Sequence, residues 1–159
     1  MSVRVGQPVP DFSVAATGDQ IVRLSDLRGR PVVLYFYPKD NTPGCTVEGQ
    51  QFRDLHDRFA ASNVAVFGVS RDSLRSHENF RAKHGFPFHL LADTDGTLCE
   101  LFEVLKLKKL YGKESIGVER STFLIDENGV LRREWRKVKV DGHAGAVLAA
   151  VEAGMEALH

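Results

Sequence analysis

The sequence predicts an α/β fold in which a mixed β-sheet is covered by helices on both faces. Three observations lead to this prediction. Strand-like and helix-like patterns alternate along the chain, the last two strands are joined by a hairpin signal, and residues 32–37 form a continuous apolar run. With 159 residues, 43% of them hydrophobic, the chain is long enough to form one domain with a proper core over residues 1–159.

The first half of the chain carries five strand patterns and two helix patterns. The first two strands form a short hairpin around a turn at residues 17–19. In the first helix, which follows the third strand, Phe52, Leu55 and Phe59 recur at helical spacing. The second helix ends before Gly85. The strands are expected at residues 12–16, 21–24, 32–37, 64–70 and 88–91, and the second helix at about 73–84.

The second half begins with a short helix around Cys99. Its apolar stripe consists of Leu98, Leu101, Phe102 and Leu105, which leaves Cys99 on the flank of the helix. Residues 106–113 are rich in lysine and are interpreted as an exposed connector. Strands at 121–125 and 130–135 are joined by the hairpin sequence Asp-Glu-Asn-Gly at 126–129, and a last helix runs from Gly142 to the end of the chain.

Composition favours a compact cytoplasmic protein. Acidic and basic residues balance at 21 each and are interspersed, so neither nucleic acid nor an anionic membrane is an expected partner. Two cysteines do not make a disulfide scaffold, which fits a reducing compartment. The N-terminal residues lack the apolar core of a signal peptide, and no apolar run approaches membrane-spanning length.

The sequence predicts neither a metal site nor an organic cofactor. The six histidines are scattered, none has metal-ligand spacing to a cysteine or carboxylate, and most are interpreted as surface or capping residues. A dinucleotide-binding glycine motif, a P-loop and a haem-attachment motif are all missing from the sequence.

The most informative segment, residues 38–45, delivers a thiol to the first turn of a helix directly after the apolar strand. Thr42 is placed to be the N-cap, Pro43 the first helical residue and Cys45 the third. At that position the free backbone N–H groups and the positive end of the helix dipole favour an anionic sulfur.

A thiolate alone does not make a fast enzyme. An ordinary thiol is roughly 3% ionised at neutral pH, so complete ionisation raises the reactive fraction only about 30-fold. Intrinsic nucleophilicity falls at the same time. Rapid chemistry therefore requires donors around the atom under attack and around the leaving group, supplied from elsewhere in the chain.

Pro38, Thr42 and Cys45, spaced as P-x-x-x-T-x-x-C behind a hydrophobic strand, resemble the active-site motif of the peroxiredoxins. The longer segment 35–48 resembles the subfamily called bacterioferritin comigratory protein, or peroxiredoxin Q. The resemblance covers nearly the whole chain and implies the thioredoxin-like fold of an antioxidant thiol peroxidase, which reduces hydrogen peroxide and organic hydroperoxides to water and alcohols. Further matches lie at residues 6–12, 24–29, 67–70, 91–93 and 117–125.

The resemblance also implies roles for four residues. Cys45 would be the peroxidatic cysteine, which becomes a sulfenic acid. Thr42 would hydrogen-bond the peroxide, Pro38 would shield the sulfur from water, and Arg120 would hold both thiolate and peroxide with its fork of donors.

Each of these residues also has a plainer interpretation. Pro38 can simply end a strand and Thr42 can simply cap a helix, both compatible with catalysis. Cys45 alone could be a small buried hydrophobe, and Arg120 a surface ion-pair partner. Glu48, on the helix of Cys45, could influence the pocket, but a carboxylate on a helix face near the N-terminus is also ordinary.

The chain departs from the family pattern in how the sulfenic acid is reduced. Many relatives carry a resolving cysteine five residues after the peroxidatic one, where this chain has Gln50, and others carry it within the next helix, at about 77–85, where this chain has none. Cys99 is most simply a packing residue at the rim of its helix, although a Cys45–Cys99 disulfide remains open if the two Cα atoms can come within about 7 Å.

We therefore prefer a one-cysteine mechanism in which thioredoxin, glutaredoxin or a small thiol reduces Cys45 directly, and the resemblance implies a monomer. The alternative function is a redox-sensing or holdase-like binding protein that uses oxidation of Cys45 as a switch, because an unresolved sulfenic acid persists. A thioredoxin-type oxidoreductase is disfavoured because Cys45 has no C-x-x-C partner, with threonine at 42 and glutamate at 48.

Overall fold

The computed structural model describes residues 2–157 and consists of a central sheet, a separate hairpin and five α-helices. A 3₁₀-helix, Leu24–Leu27, follows the first two strands. The strands are β1 (Ser13–Ala16), β2 (Gln20–Arg23), β3 (Val32–Phe36), β4 (Ala65–Ser70), β5 (His89–Ala92), β6 (Leu105–Leu110), β7 (Lys113–Val118), β8 (Ser121–Ile125) and β9 (Leu131–Trp135). The helices are α1 (Pro43–Asp54), α2 (His56–Ala61), α3 (Leu74–His84), α4 (Thr97–Leu101) and α5 (His143–Ala157).

Seven strands form one mixed sheet in the order β2-β1-β5-β4-β3-β8-β9, which confirms the predicted architecture. Strand β3 lies near the centre, parallel to β4 and antiparallel to β8. All five residues of β3 are buried, as predicted for a strand covered on both faces. Among residues 2–157, none of the helices combines the length and apolar composition needed to cross a bilayer.

The two faces of the sheet carry two separate hydrophobic clusters. Along β3, Val32 and Leu34 belong to one cluster, whereas Val33 and Tyr35 belong to the other. This alternation follows from the two-residue period of a strand. We call them the α4-side cluster, which includes Leu98 and Phe102, and the α1-side cluster, which includes Phe52 and Phe59.

The prediction that residues 106–113 are exposed is confirmed for those whose burial the structure describes, but the prediction that they form a connector is wrong. They belong to a two-stranded antiparallel hairpin in which β6 pairs with β7 and Leu107 lies opposite Ile116. Tyr111 and Gly112 at the turn both have positive φ, 53° and 77°, the geometry of a tight hairpin turn. The alternation of leucine with lysine was a period-two signal that the abundance of lysine obscured.

Most of the other predicted elements match the observed ones within about two residues, with two exceptions. The predicted helix around Cys99 ends at Leu101, so Phe102 and Leu105 of its expected stripe lie beyond it, and Leu105 is the first residue of β6. The first predicted helix is divided at Leu55 into α1 and α2, although Phe52 and Phe59 still point into the same cluster. Gly85 ends α3 in the left-handed conformation, as its sequence position predicted. The predicted continuation of the last helix over residues 158–159 lies outside the described residues.

Gly68 allows close packing in the middle of the sheet. It lies on β4 between its register partners Tyr35 and Leu90, and an added Cβ would lie 2.8 Å from atoms of both side chains. Tyr35 is held by stacking on Phe52, with ring centroids 4.5 Å apart. The Tyr35 ring therefore has little freedom to move away.

We predict that Gly68→Ala lowers the free energy of unfolding by about 1–3 kcal/mol, because the new methyl group overpacks the core. The measurement is urea denaturation. Gly145→Ala is the control, since a Cβ there would meet no described atom within 4 Å. It should raise the free energy of unfolding by about 0.5–1 kcal/mol through helix propensity. Equal effects of the two substitutions would contradict this account of the packing.

Candidate active site

Cys45 lies at the N-terminal end of α1, immediately beyond the central strand β3. Helix α1 begins at Pro43, so Cys45 is its third residue, as predicted. The free thiol is almost fully enclosed, with 2% of the residue exposed. The backbone N–H groups of the first helical turn and the helix dipole favour negative charge at this point.

Thr42 is the N-cap residue by its extended backbone conformation, but its side chain does not cap the helix. The Thr42 hydroxyl instead donates a hydrogen bond to the backbone carbonyl of Lys39 at 2.8 Å. Pro38 is half-buried where the chain leaves β3. Both residues therefore lie in the loop that leads from β3 to Cys45.

Arg120 reaches Cys45 from a distant part of the chain. The pairing of β3 with β8 aligns Phe36 with Ser121, which brings Arg120 to the end of β3 from which the Cys45 loop departs. The Nη2 atom of Arg120 donates a hydrogen bond to the Cys45 Sγ at 3.5 Å. Gly44 leaves room for the guanidinium, because a Cβ there would lie 3.2 Å from Nη2.

Glu48 completes this cluster and was underestimated from the sequence. Its carboxylate is fully buried and accepts a hydrogen bond from the Arg120 Nη1 at 2.6 Å, while its Oε2 has no partner among the described residues. Burial raises the pKa of Glu48 to about 7, and the nearby Arg120 charge offsets only part of that effect. The available signal was the three-residue spacing from Cys45, which places both side chains on one helix face.

The guanidinium of Arg120 is held in its charged form by its neighbours. Burial acts to lower its pKa, but the Glu48 carboxylate and the Cys45 sulfur outweigh burial and raise the pKa. Arg120 is therefore a permanent cation with two donors. One donor is directed at the Cys45 sulfur and the other at the Glu48 carboxylate.

Two histidines are exceptions to the expectation that most of them are surface or capping residues. His77 is fully buried and hydrogen-bonds to Asp40. With Asp72 these side chains bring possible ligand atoms within 4.8 Å of one another, although hydrogen bonds already link them. His143 is 6% exposed and its Nε2 lies 2.8 Å from the Thr122 hydroxyl. Neither arrangement is visible in sequence spacing, because each partner comes from a different element.

Cys99 was predicted to lie at the rim of its helix, and this prediction is wrong. The residue is fully buried in the α4-side cluster. Its backbone N–H donates to the Asp93 carboxylate at 2.8 Å, and burial raises the pKa of its thiol well above the ordinary range. Cys45 belongs to the α1-side cluster. The two thiols therefore lie on opposite faces of the central sheet.

A deeply enclosed thiol at a helix N-terminus, with an arginine donor on its sulfur, defines a thiol-based redox enzyme on an α/β scaffold. Comparison with known proteins agrees: residues 5–134 match the AhpC/TSA family. The chain is 49% identical over 152 residues to peroxiredoxin Bcp of Bacillus subtilis, covering 96% of this chain and 97% of that protein.

Solved structures give the same result. The bacterioferritin comigratory protein of Xanthomonas campestris, for which alkyl peroxide reduction is described, is 46% identical with a TM-score of 0.89, covering 95% and 99% of the two chains. A mutant of Xylella fastidiosa peroxiredoxin Q is 43% identical with a TM-score of 0.92, covering 98% and 99%. The chain therefore belongs to the AhpC/TSA family, in its peroxiredoxin Q, or bacterioferritin comigratory protein, group. It has the thioredoxin-like peroxiredoxin fold and is a thiol peroxidase, as the sequence resemblance implied.

The environment of His143 beside this site makes stability depend on pH. Burial, with a smaller effect of the Arg120 charge, lowers the pKa of His143 from 6.5 to about 4. The folded protein therefore resists protonation that the unfolded chain accepts. This contribution to stability is fully present above pH 6.5 and declines as the pH falls toward 4.

We predict that His143→Gln removes this dependence while keeping a side chain able to hydrogen-bond Thr122. Between pH 7.5 and 5 the wild-type protein should lose about 2 kcal/mol more of its free energy of unfolding than the variant loses. Urea denaturation of both proteins across this pH range measures the difference. Parallel losses would show that His143 is not kept neutral by the fold.

Proposed function

We propose that Cys45 is the peroxidatic residue and that its thiolate attacks one oxygen of a hydroperoxide. The S–O bond forms as the O–O bond breaks, so the sulfur is oxidised to a sulfenic acid. The other oxygen leaves with the bonding electron pair and takes up a proton as water or alcohol. The observation that carries this proposal is the Arg120 donor 3.5 Å from the Cys45 Sγ, at a helix N-terminus.

Arg120 supplies a fixed positive charge where charge moves from sulfur to the leaving oxygen. Its ion pair with the buried Glu48 holds the guanidinium plane, so the Nη2 atom stays directed at the reaction centre. Such preorganised donors stabilise a transition state without reorganising during the reaction.

Thr42 binds the peroxide in this scheme. Its hydroxyl proton is committed to the Lys39 carbonyl, so the lone pairs of its oxygen are available to accept a hydrogen bond from the peroxide O–H. Pro38, half-buried at the entrance of the same loop and without an N–H group, limits access of water to the sulfur. Hydrogen peroxide and organic hydroperoxides are both proposed substrates, in line with the alkyl peroxide reduction described for the Xanthomonas campestris protein.

The cycle is proposed to use one cysteine of this chain. Cys99 lies across the central sheet from Cys45, so an intramolecular disulfide would require the chain to refold around the sheet. An external thiol instead attacks the sulfenic acid, forms a mixed disulfide with Cys45 and releases water. A second external thiol then attacks this mixed disulfide, forms a disulfide with the first external thiol and releases the Cys45 thiolate. Thioredoxin, glutaredoxin or a small thiol fits this role.

The packing and the free cysteines also bear on the domain organisation, the oligomeric state and the compartment of the protein. Residues 1–159 are proposed to form one domain, since both hydrophobic clusters pack on one sheet. A monomer in a reducing cytoplasmic compartment is proposed, where both cysteines stay free. Because the chain belongs to a peroxidase family, catalytic turnover of peroxide is favoured over the alternative of a redox-sensing or holdase-like binding protein that is oxidised only once.

We predict that Cys45→Ser abolishes peroxide consumption, whereas Cys99→Ser keeps it within about twofold of wild type, because a buried thiol across the sheet takes no part. Intact mass after one equivalent of hydrogen peroxide, with a sulfenic-acid trap, reports the intermediate. The trapped adduct should be confined to Cys45. A loss of two hydrogens without an adduct, dependent on both thiols, would overturn the one-cysteine cycle.

We predict that Arg120→Lys lowers the second-order rate of Cys45 oxidation by about 10²–10³-fold, because lysine cannot bond two groups in one plane. Thr42→Val should lower it by at least about tenfold. Stopped-flow oxidation by hydrogen peroxide measures both rates. Arg75→Lys, on the exposed face of α3, is the matched control and should leave the rate unchanged. Equal rates for Arg120→Lys and wild type would exclude the proposed role of the guanidinium.

A further inference from the structure

The loop between β3 and α1 contains a buried charged residue that the peroxidase chemistry does not use. Asp40 lies midway between Pro38 and Thr42, and its side chain is 1% exposed. An ionised carboxylate in such a place is costly unless other groups satisfy it. Asp40 therefore needs a structural or functional reason to be there.

Four hydrogen bonds attach Asp40 to the surrounding elements. Its carboxylate accepts from the Tyr37 hydroxyl at 2.6 Å and from the Ser76 hydroxyl at 2.8 Å, and lies 2.8 Å from the His77 Nδ1. Its backbone N–H donates to the Asp72 carboxylate at 2.9 Å. Asp40 is thus tied to Tyr37, the residue that directly follows β3, to α3 and to the segment between β4 and α3.

The hydrogen-bond partners of His77 show that the Asp40–His77 pair holds a proton between its two side chains. The His77 Nε2 lies 2.9 Å from the Leu91 carbonyl, which can only accept, so Nε2 carries a hydrogen. The contact between Nδ1 and the Asp40 oxygen then requires one further proton. With 0% and 1% of the side chains exposed, neither residue can exchange its partner for water without opening the fold.

One peptide group connects this pair to the site. The Lys39 carbonyl and the Asp40 N–H belong to the same planar peptide. The carbonyl accepts the hydrogen bond from the Thr42 hydroxyl, and the N–H donates to Asp72. The orientation of this peptide therefore decides where the lone pairs of the Thr42 oxygen point.

We infer that Asp40 and His77 are positioning residues for peroxide reduction, which hold the Lys39–Asp40 peptide so that the Thr42 oxygen faces the incoming hydroperoxide. This inference rests on the proposed function of Thr42. The pair acts on the reaction of the sulfur with a peroxide and not on the sulfur itself, whose donors come from α1 and Arg120.

The test compares two reagents that attack the same thiol. Hydrogen peroxide needs the Thr42 oxygen, whereas alkylation by iodoacetamide does not. For His77→Gln we expect the rate with hydrogen peroxide to fall about 10–100-fold, the usual cost of displacing a reacting group by about 1 Å. The iodoacetamide rate should stay within about threefold of wild type, because the thiolate is unchanged.

Two further variants, His77→Asn and Tyr37→Phe, and one control variant, His84→Gln, test the individual contacts. The amide of His77→Asn can replace Nδ1 as a donor to Asp40, so this variant should keep more of the peroxide rate than His77→Gln, whose longer amide replaces Nε2 instead. His84→Gln removes a histidine from the same helix outside the network and is the control. Tyr37→Phe removes the hydroxyl that donates to Asp40 at 2.6 Å and lies 3.5 Å from the His77 Nδ1, and it tests the same network if the His77 variants do not fold.

The outcomes distinguish this inference from the proposed function. In a Thr42→Val background, His77→Gln should cause no further loss of peroxide rate, since both act through one hydroxyl. Equal losses with both reagents in His77→Gln and Tyr37→Phe, or no loss with either, would overturn the positioning role. If Thr42→Val itself left the peroxide rate unchanged, the proposed function of Thr42 would fail first.

Discussion

The antiparallel pairing of β3 with β8 is the constraint on which the candidate active site depends. Cys45 follows one strand and Arg120 precedes the other, 75 residues away. Because Phe36 pairs with Ser121, the two chain segments meet at the same end of the sheet. A change of register by one residue would turn the side chains of β8 to the opposite face and disrupt the buried core. The packing that stabilises the sheet therefore also sets the distance between the guanidinium and the sulfur.

Buried charges restrict this site more tightly than hydrophobic packing alone could. Glu48 is fully buried against Arg120, and Asp40 is buried against His77. Removing Arg120 would leave the buried Glu48 without its cation, which costs on the order of 3–5 kcal/mol for an ionised carboxylate. Breaking the Asp40–His77 contact would leave buried polar atoms without partners. Each pair thus has one strongly preferred geometry. In the proposed mechanism one pair orients the donor to the sulfur and the other orients the loop that carries Thr42.

The sheet also separates the two thiols and so limits the redox chemistry. The α1-side cluster encloses Cys45 next to a cation, while the α4-side cluster encloses Cys99 next to the Asp93 carboxylate. Burial beside a carboxylate raises the pKa of the Cys99 thiol and keeps it protonated. The two cysteines therefore have different surroundings on opposite faces of the sheet, and the proposed cycle uses an external thiol.

Local patterns in the sequence predict the order of most elements, the family and the position of Cys45 at the third residue of a helix, because periodicity, proline and capping residues act locally. They do not predict the hairpin at 105–118, where the lysines obscure a two-residue period, or the full burial of Cys99. The contacts of Glu48 with Arg120 and of Asp40 with His77 follow only from the folded arrangement of the chain. These contacts join residues 72 and 37 positions apart, and such distances are set by strand register and helix packing, which a single sequence does not encode in any local pattern.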